Sequence, residues 1–499
     1  MQNQAVVASA TVVAVAILSG AILLRHMGQP RVQSPRDCLP PPSVHIDHAQ
    51  LISGPLPDGP SATRACLSCH PASAHEVIQT SHWTWVGLEV NLPESGQPAH
   101  IGKKNLINNF CLHAGANIES CSSCHVGYGW KDDSFDFHNP ENVDCLVCHE
   151  QTGSYRKVAA GLPRHDVDLL KAAQSVGRPT RRNCGQCHFY GCGGHAVKQG
   201  DLDASMNFPT ERIDVHMGKF DMQCVDCHRT QGHEIPGLAM SIALDRSQRV
   251  RCSGCHGESP HNHQRLDGHV KAVACETCHI PRMAIDYPTN VYWDWSKAGK
   301  DLPEDPLLYL KKRGAFVYAQ DVRPEYFWYN GRARRYLTGE KIDPVGVVRI
   351  NRPLGELKDL EAKIFPFKVH RGKQVYDKVH RHLLAPKTYG PNGFDADFDW
   401  DKACRLGAKS AGLAYSGQYD FVETEMYLPL SHMVQAKQKA LQCTECHGEG
   451  RIMDWKALGY DGDPAFQGTQ GSGRRDLANI RNGAGSDATW NESTLSTNH

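Results

Sequence analysis

The pattern of apolar and polar positions changes character several times along the chain. It opens on an uncharged apolar run, Ala5 to Leu24, ended by Arg25 and His26. About 20 such residues suffice for a helix to cross a bilayer, and the run lacks the basic start and small-residue cleavage site of a secretory signal. Residues 1–26 therefore read as a membrane anchor in preference to a cleaved signal, with the remainder exported to the periplasmic side of an inner membrane. Residues 27–60 are rich in proline and have no apolar period, as expected of a linker arm. Strand-type alternation looks sparse, whereas segments such as Leu430 to Gln442 carry apolar residues at helical spacing. The pattern predicts a mainly α chain with much irregular coil. Residues 467–499 are rich in Gly, Ser, Asn and Thr, a composition that cannot offset the entropy of ordering, and read as a flexible tail.

Composition then narrows the class. Lys plus Arg and Asp plus Glu balance at 54 each over 499 residues, so no whole-molecule field draws in nucleic acid. The 20 Cys and 28 His are in excess of ordinary usage and point to metal or haem chemistry.

Spacing decides between them. CxxCH occurs eight times, pairing Cys66 with Cys69, Cys121 with Cys124, Cys145 with Cys148, Cys184 with Cys187, Cys224 with Cys227, Cys252 with Cys255, Cys275 with Cys278 and Cys443 with Cys446. In this motif two thiols bond the haem vinyl groups and the following histidine reaches the iron. Zinc sites or disulfides would not place His after every second cysteine. The sequence thus predicts eight covalently attached haem c groups. Their proximal ligands are His70, His125, His149, His188, His228, His256, His279 and His447, and the fold is a multihaem cytochrome c fold with a haem-packed core. The organisation follows: 61–285 a haem-packed region with seven haems, 286–440 a haem-free wrapping region with several Trp and Tyr, and 441–466 the eighth haem segment.

An iron held by two imidazoles transfers electrons and has no place for substrate. The best distal candidates are His82, His216, His233, His261, His269 and His432, each also readable as an ordinary surface or hydrogen-bonded histidine. His138, His263, His370, His380 and His382 are reserves. Outside the motifs stand Cys38, Cys111, Cys192 and Cys404. Cys111 lies ten residues before the second motif with Asn108 behind it, and Cys192 sits in a glycine-rich stretch followed by His195 and Lys198.

In order, NNFC, CxxCHxGYGWKD, DCLVCH, CHFYG-x-GG and VYWDWSKAGKDLP resemble the octahaem tetrathionate reductase family, over nearly the whole span from Cys66 to His447. The resemblance implies a haem ligated on its substrate face by lysine, here Lys198, with Cys111 and Asn108 nearby and His125 on the opposite face. His195 stands where the family pattern has an acidic residue, and Cys192 where it has glycine. By residue type alone Lys198 would be an exposed lysine and Cys111 an inert thiol. His195 is an acid-base candidate because its reference pKa lies near neutrality.

The expected function is a periplasmic reductase of a small inorganic substrate, tetrathionate to thiosulfate before nitrite or hydroxylamine. Its expected partners are that oxyanion or nitrogen compound, an electron-donor protein or quinol dehydrogenase, and the membrane through the N-terminal helix. The rival readings are a dedicated nitrite or hydroxylamine reductase and a non-catalytic electron conduit.

Overall fold

The computed structural model describes residues 45–466 together with Leu39, except Leu88, Glu94, Cys192, Leu238, Ala239 and 241–248. The apolar run Ala5 to Leu24, Cys38, Cys192 and the expected tail 467–499 therefore lie outside the described residues. No described helix is long and apolar enough to cross a membrane. The expected membrane partner and inner-membrane anchorage gain no support from the fold and are set aside.

The mainly α expectation is wrong, since 25% of residues are helical and 18% lie in strands. The strands build a seven-stranded mixed sheet in the region read as haem-free wrapping. At its centre runs Lys363–Asp377, KIFPFKVHRGKQVYD, buried along most of its length. It pairs antiparallel with Tyr419–Pro429 from Phe367 opposite Pro429 to Asp377 opposite Tyr419. It runs parallel to Thr289–Asp294 and antiparallel to Glu325–Tyr329. Gly314–Ala319 extends the sheet beyond Thr289–Asp294, and Val348–Arg349 closes the other side.

The cause is legible afterwards. In DFVETEMY, Val422, Thr424 and Met426 are buried while Glu423 and Glu425 between them are less so, the period of two that a pleated strand imposes. Pro366 disguised the central strand, because proline cannot donate to a ladder. It sits near the strand's first end, opposite Tyr326.

The helical reading of Leu430 to Gln442 also fails, leaving only the 3-10 turn Lys437–Lys439. Two buried carboxylates take the amides a helix would use: Asp201 accepts from the Ser431 and His432 N–H groups, and Asp214 from that of Val434. Side-chain acceptors of this kind compete with helical bonding.

The largest apolar cluster lies against the sheet. The helix Trp400–Ala411 packs Trp400, Ala403, Cys404 and Ala408 onto Val375, Leu383, Leu384 and Val422, with Trp293 and Trp295 stacked in the same core. A second cluster, built from Trp83, Leu146, Val147, Tyr155 and Ala172 among others, surrounds the first and third motifs.

Candidate haem and reaction sites

The motif segments adopt short helical turns. Leu146–His149, Cys224–Cys227, Ser253–His256, Cys275–His279 and Cys443–Cys446 are helices of four or five residues. Arg181–His188 carries the fourth motif, Gly59–Leu67 runs into the first, and Ile118–Cys121 with the 3-10 turn Ser122–Cys124 forms the second. Residues three apart share a helix face, so one turn aims both thiols the same way. In CVDC and CTEC the motif supplies its own cap: Asp226 and Glu445 accept the backbone N–H of Gln223 and Gln442 at 2.7 and 2.9 Å.

Seven motif histidines face a second histidine. The ring centres stand 6.4 Å apart for His70 and His48, 6.2 Å for His188 and His82, and 6.3 Å for His149 and His233. For His256 and His216 the separation is 6.0 Å, and it is 6.3 Å for His228 with His432, His279 with His261, and His447 with His269. A metal–nitrogen bond of about 2 Å on each side, plus roughly an ångström from nitrogen to ring centre, puts two axial imidazoles about 6 Å apart. These pairs fit an iron between them.

All six distal candidates face a motif histidine. The seventh partner, His48, fell in the segment read as a linker arm. Its only signal was a nearby second histidine, His45, which stacks on it at 5.3 Å. Of the reserves, His380 and His382 stack on each other, and His370 is buried at the sheet.

Hydrogen bonds at Nδ1 orient the pairs and leave Nε2 for metal. His149 donates to Gly177 O, His228 to Pro236 O, His269 to Arg265 O and His48 to Ile46 O. Four others meet a carboxylate: His233 with Glu76, His261 with Asp267, His432 with Asp201 and His447 with Asp463. The negative partner raises ligand basicity.

The second motif differs. Among the described residues no histidine faces His125, whose ring is boxed by Trp83, Trp130, Phe135 and Phe137 at 4.7 to 6.0 Å. Its Nε2 lies 2.8 Å from the Trp83 carbonyl and its Nδ1 is buried without a partner, the reverse of His149, His228 and His447. Binding an iron through Nε2 means giving up the Trp83 contact. Burial pushes this imidazole down to about 4, which keeps it neutral as a ligand must be. A buried ion pair backs it: Lys157 touches the His125 carbonyl and lies 3.0 Å from Asp144, which also accepts from Tyr128 and Tyr155.

The candidate reaction residues lie on two loops. The Asn108 side chain accepts the backbone N–H groups of Cys111 and Phe110 at 2.6 and 3.1 Å, and Leu112 takes a positive φ of 65° with its carbonyl accepting the Asn108 N–H. That tight turn sets Cys111 half-buried against the sheet core. Lys198 follows Val197, in a segment pinned by the Thr289 hydroxyl, which donates to Ala196 O and Gln199 O. Burial pushes His188 down to about 3, with the His82 imidazole and then Lys198 adding to it, which places Lys198 beside the fourth motif. The lysines acting on His125 are Lys157 and Lys103. His195 lies between Tyr190 and Tyr287, and its Nε2 accepts the Ala204 N–H, so its proton resides on Nδ1. Burial lowers its pKa. His195 is thus held as a neutral ring with one outward donor.

The structure superposes on an octaheme cytochrome c of Shewanella oneidensis with a TM-score of 0.81 and 44% identity, covering 86% of this chain and all of that one. The chain belongs to the octahaem c-type cytochromes. A family model described as bacterial cytochrome c matches residues 290–450. An uncharacterized protein of Archaeoglobus fulgidus is 21% identical over 240 residues, 38% of this chain and 80% of that protein.

This octahaem cytochrome carries eight covalently attached haem c groups, and its motifs form a connected series. The Cys66 side chain lies next to that of Cys145, Cys184 next to Cys224, Cys187 next to Cys124 and Cys252 next to Cys275. Cys184 also lies near Cys148, Cys227 near Cys255, and Cys278 near Cys443. The motifs therefore run first, third, fourth, fifth, sixth, seventh, eighth, with the second branching from the fourth.

Proposed function

We propose that this octahaem cytochrome is a reductase that delivers electrons to a small inorganic substrate at the second motif, tetrathionate before nitrite or hydroxylamine. The observation that carries the reading is the isolation of His125: seven motif histidines face another histidine, and this one, among the described residues, does not. In this reading the sixteen motif cysteines attach the haems, and the seven histidine pairs hold irons that only pass electrons. Lys198 and His125 would together hold the haem of the second motif. Supporting it, the second motif meets the fourth through Cys124 and Cys187, and Lys198 lies beside the fourth.

The haem group supplies electrons one at a time, and two of them, added to tetrathionate, break its central S–S bond to give two thiosulfates. The chain's own residues do the rest. A lysine amine is neutral when it holds a metal and an ammonium when released, so Lys198 serves as ligand in one state and as anion-binding cation in the other. Asn108 fixes the Cys111 loop, whose thiolate can attack the central S–S bond, expelling one thiosulfate and leaving a Cys111 S-thiosulfate that the two supplied electrons reduce to the thiolate and the second thiosulfate. His195, with its proton on Nδ1, is a donor for substrates whose reduction consumes protons.

The test is Lys198→Met in fully haem-loaded protein. One haem's spectrum is expected to change, seven to remain, and turnover of tetrathionate, nitrite and hydroxylamine to fall. Eight unchanged spectra with unchanged kinetics overturn the reading. No turnover of any of the three by the unmodified protein indicates an electron conduit.

A further inference from the structure

A lysine and a histidine two residues apart on the central strand are wholly buried, and neither belongs to a haem motif. Lys368 and His370 are both 0% exposed. A charged or titratable side chain is retained in such a place only when its hydrogen bonds do something a hydrophobe cannot. Lys368 Nζ donates to the Val197 carbonyl at 2.7 Å and to the Thr289 hydroxyl at 2.6 Å. That hydroxyl in turn donates to Ala196 O and Gln199 O, so one amine and one hydroxyl grip the backbone of Ala196, Val197 and Gln199, on both sides of Lys198.

His370 does the same for the other loop. Its Nδ1 donates to Asn109 Oδ1 at 2.9 Å, and Asn109 Nδ2 returns a bond to the His370 carbonyl at 2.9 Å. Its Nε2 lies 2.7 Å from the side-chain oxygen of Asn290, the neighbour of Thr289. Asn109 sits between Asn108 and the turn that carries Cys111. Gly372, next but one along the strand, has no Cβ to obstruct this loop; one added there would stand 3.2 Å from the Asn109 carbonyl and 2.9 Å from that of Trp293.

We propose that Lys368 and His370 are positioning residues of the reaction site, a two-point clamp that fixes the Lys198 and Cys111 loops on one rigid strand. This rests on the reading of Lys198 as a haem ligand. The physical reason is preorganisation: a ligand held on a mobile loop finds its metal only part of the time, and small displacements of aligned groups are costly in rate. A single continuous strand is stiff, so fastening both loops to it fixes their separation.

The experiment compares haem-loaded Lys368→Met and Lys198→Met by electron paramagnetic resonance and by turnover of tetrathionate. Lys368→Met is expected to alter the axial signature of the same single haem that Lys198→Met alters, leaving seven unchanged, and to lower kcat by about tenfold to a hundredfold with KM little changed. Lys368→Gln, which keeps a donor, is expected to lose less. If Lys368→Met does not fold, Thr289→Val carries the test, since it removes only the bridging hydroxyl. A changed spectrum in Lys198→Met with eight unchanged signatures in the Lys368 or Thr289 variant overturns the clamp and leaves the ligation reading standing. No change in either removes both.

Discussion

The region that carries seven of the motifs and the region that carries the sheet are held together by different physics. Between Gly59 and His279 the helices span four to nine residues. Such lengths are marginal in water, because nucleation fixes several residues for one hydrogen bond. What stabilises them is a neighbouring motif, the attached porphyrin and, in Gly59–Leu67 and Cys224–Cys227, a cap. Between Thr289 and Pro429 the strands reach 15 and 11 residues and the helix Trp400–Ala411 has 12, all packed on a side-chain core. One region is ordered around its cofactors, and the other provides a rigid edge on which that order is registered.

The sharpest way to break this contrast is to produce the chain without haem attachment. Amide exchange is then expected to lose protection throughout residues 59–279 while Lys363–Asp377 and Tyr419–Pro429 keep theirs, by the coupling that ties cofactor binding to folding. Equal loss in both regions would show that the sheet has no stability of its own.

A smaller effect is expected from Phe367→Ala, which removes a ring at 0% exposure between Phe327, Tyr329 and Tyr427. It should cost about 3 to 5 kcal/mol in denaturant unfolding, with haem spectra unaltered in the folded protein. A shift in several haems at once would mean that the sheet core and the haem sites are not separable.

The smallest is a slope with pH. Burial lowers Lys368 to about 7 against an ordinary value of 10.5. Between those values the unfolded chain binds a proton that the folded one does not, so this residue makes stability rise with pH across that window and contributes no slope below it. Lys368→Met should remove that part of the slope, measured as unfolding midpoints from pH 7 to 10.5, and a slope unchanged by the substitution would place the titration elsewhere.

The two regions also differed in how far they could be read beforehand. In the haem region the motifs announced themselves, and His82, His216, His233, His261, His269 and His432 each stand opposite a motif histidine. His48 was passed over because its segment has no apolar period, and an isolated ligand needs none. The sheet was passed over because its central strand is buried on both faces for a long stretch, which erases alternation, and because Pro366 interrupts that strand. Leu430 to Gln442 had helical spacing, yet Asp201 and Asp214, more than 200 residues earlier, claim its amides.

What the sequence determined by itself was the chemistry that is local: eight haem attachments, because two thiols and an imidazole within five residues form one covalent device whatever surrounds them. Tertiary structure alone decided which histidine meets which, that an aromatic box surrounds His125, and that Lys368 and His370 hold two loops on one strand. Those contacts join residues separated by up to 261 positions. Their partners are chosen by packing, and no spacing along the chain encodes them.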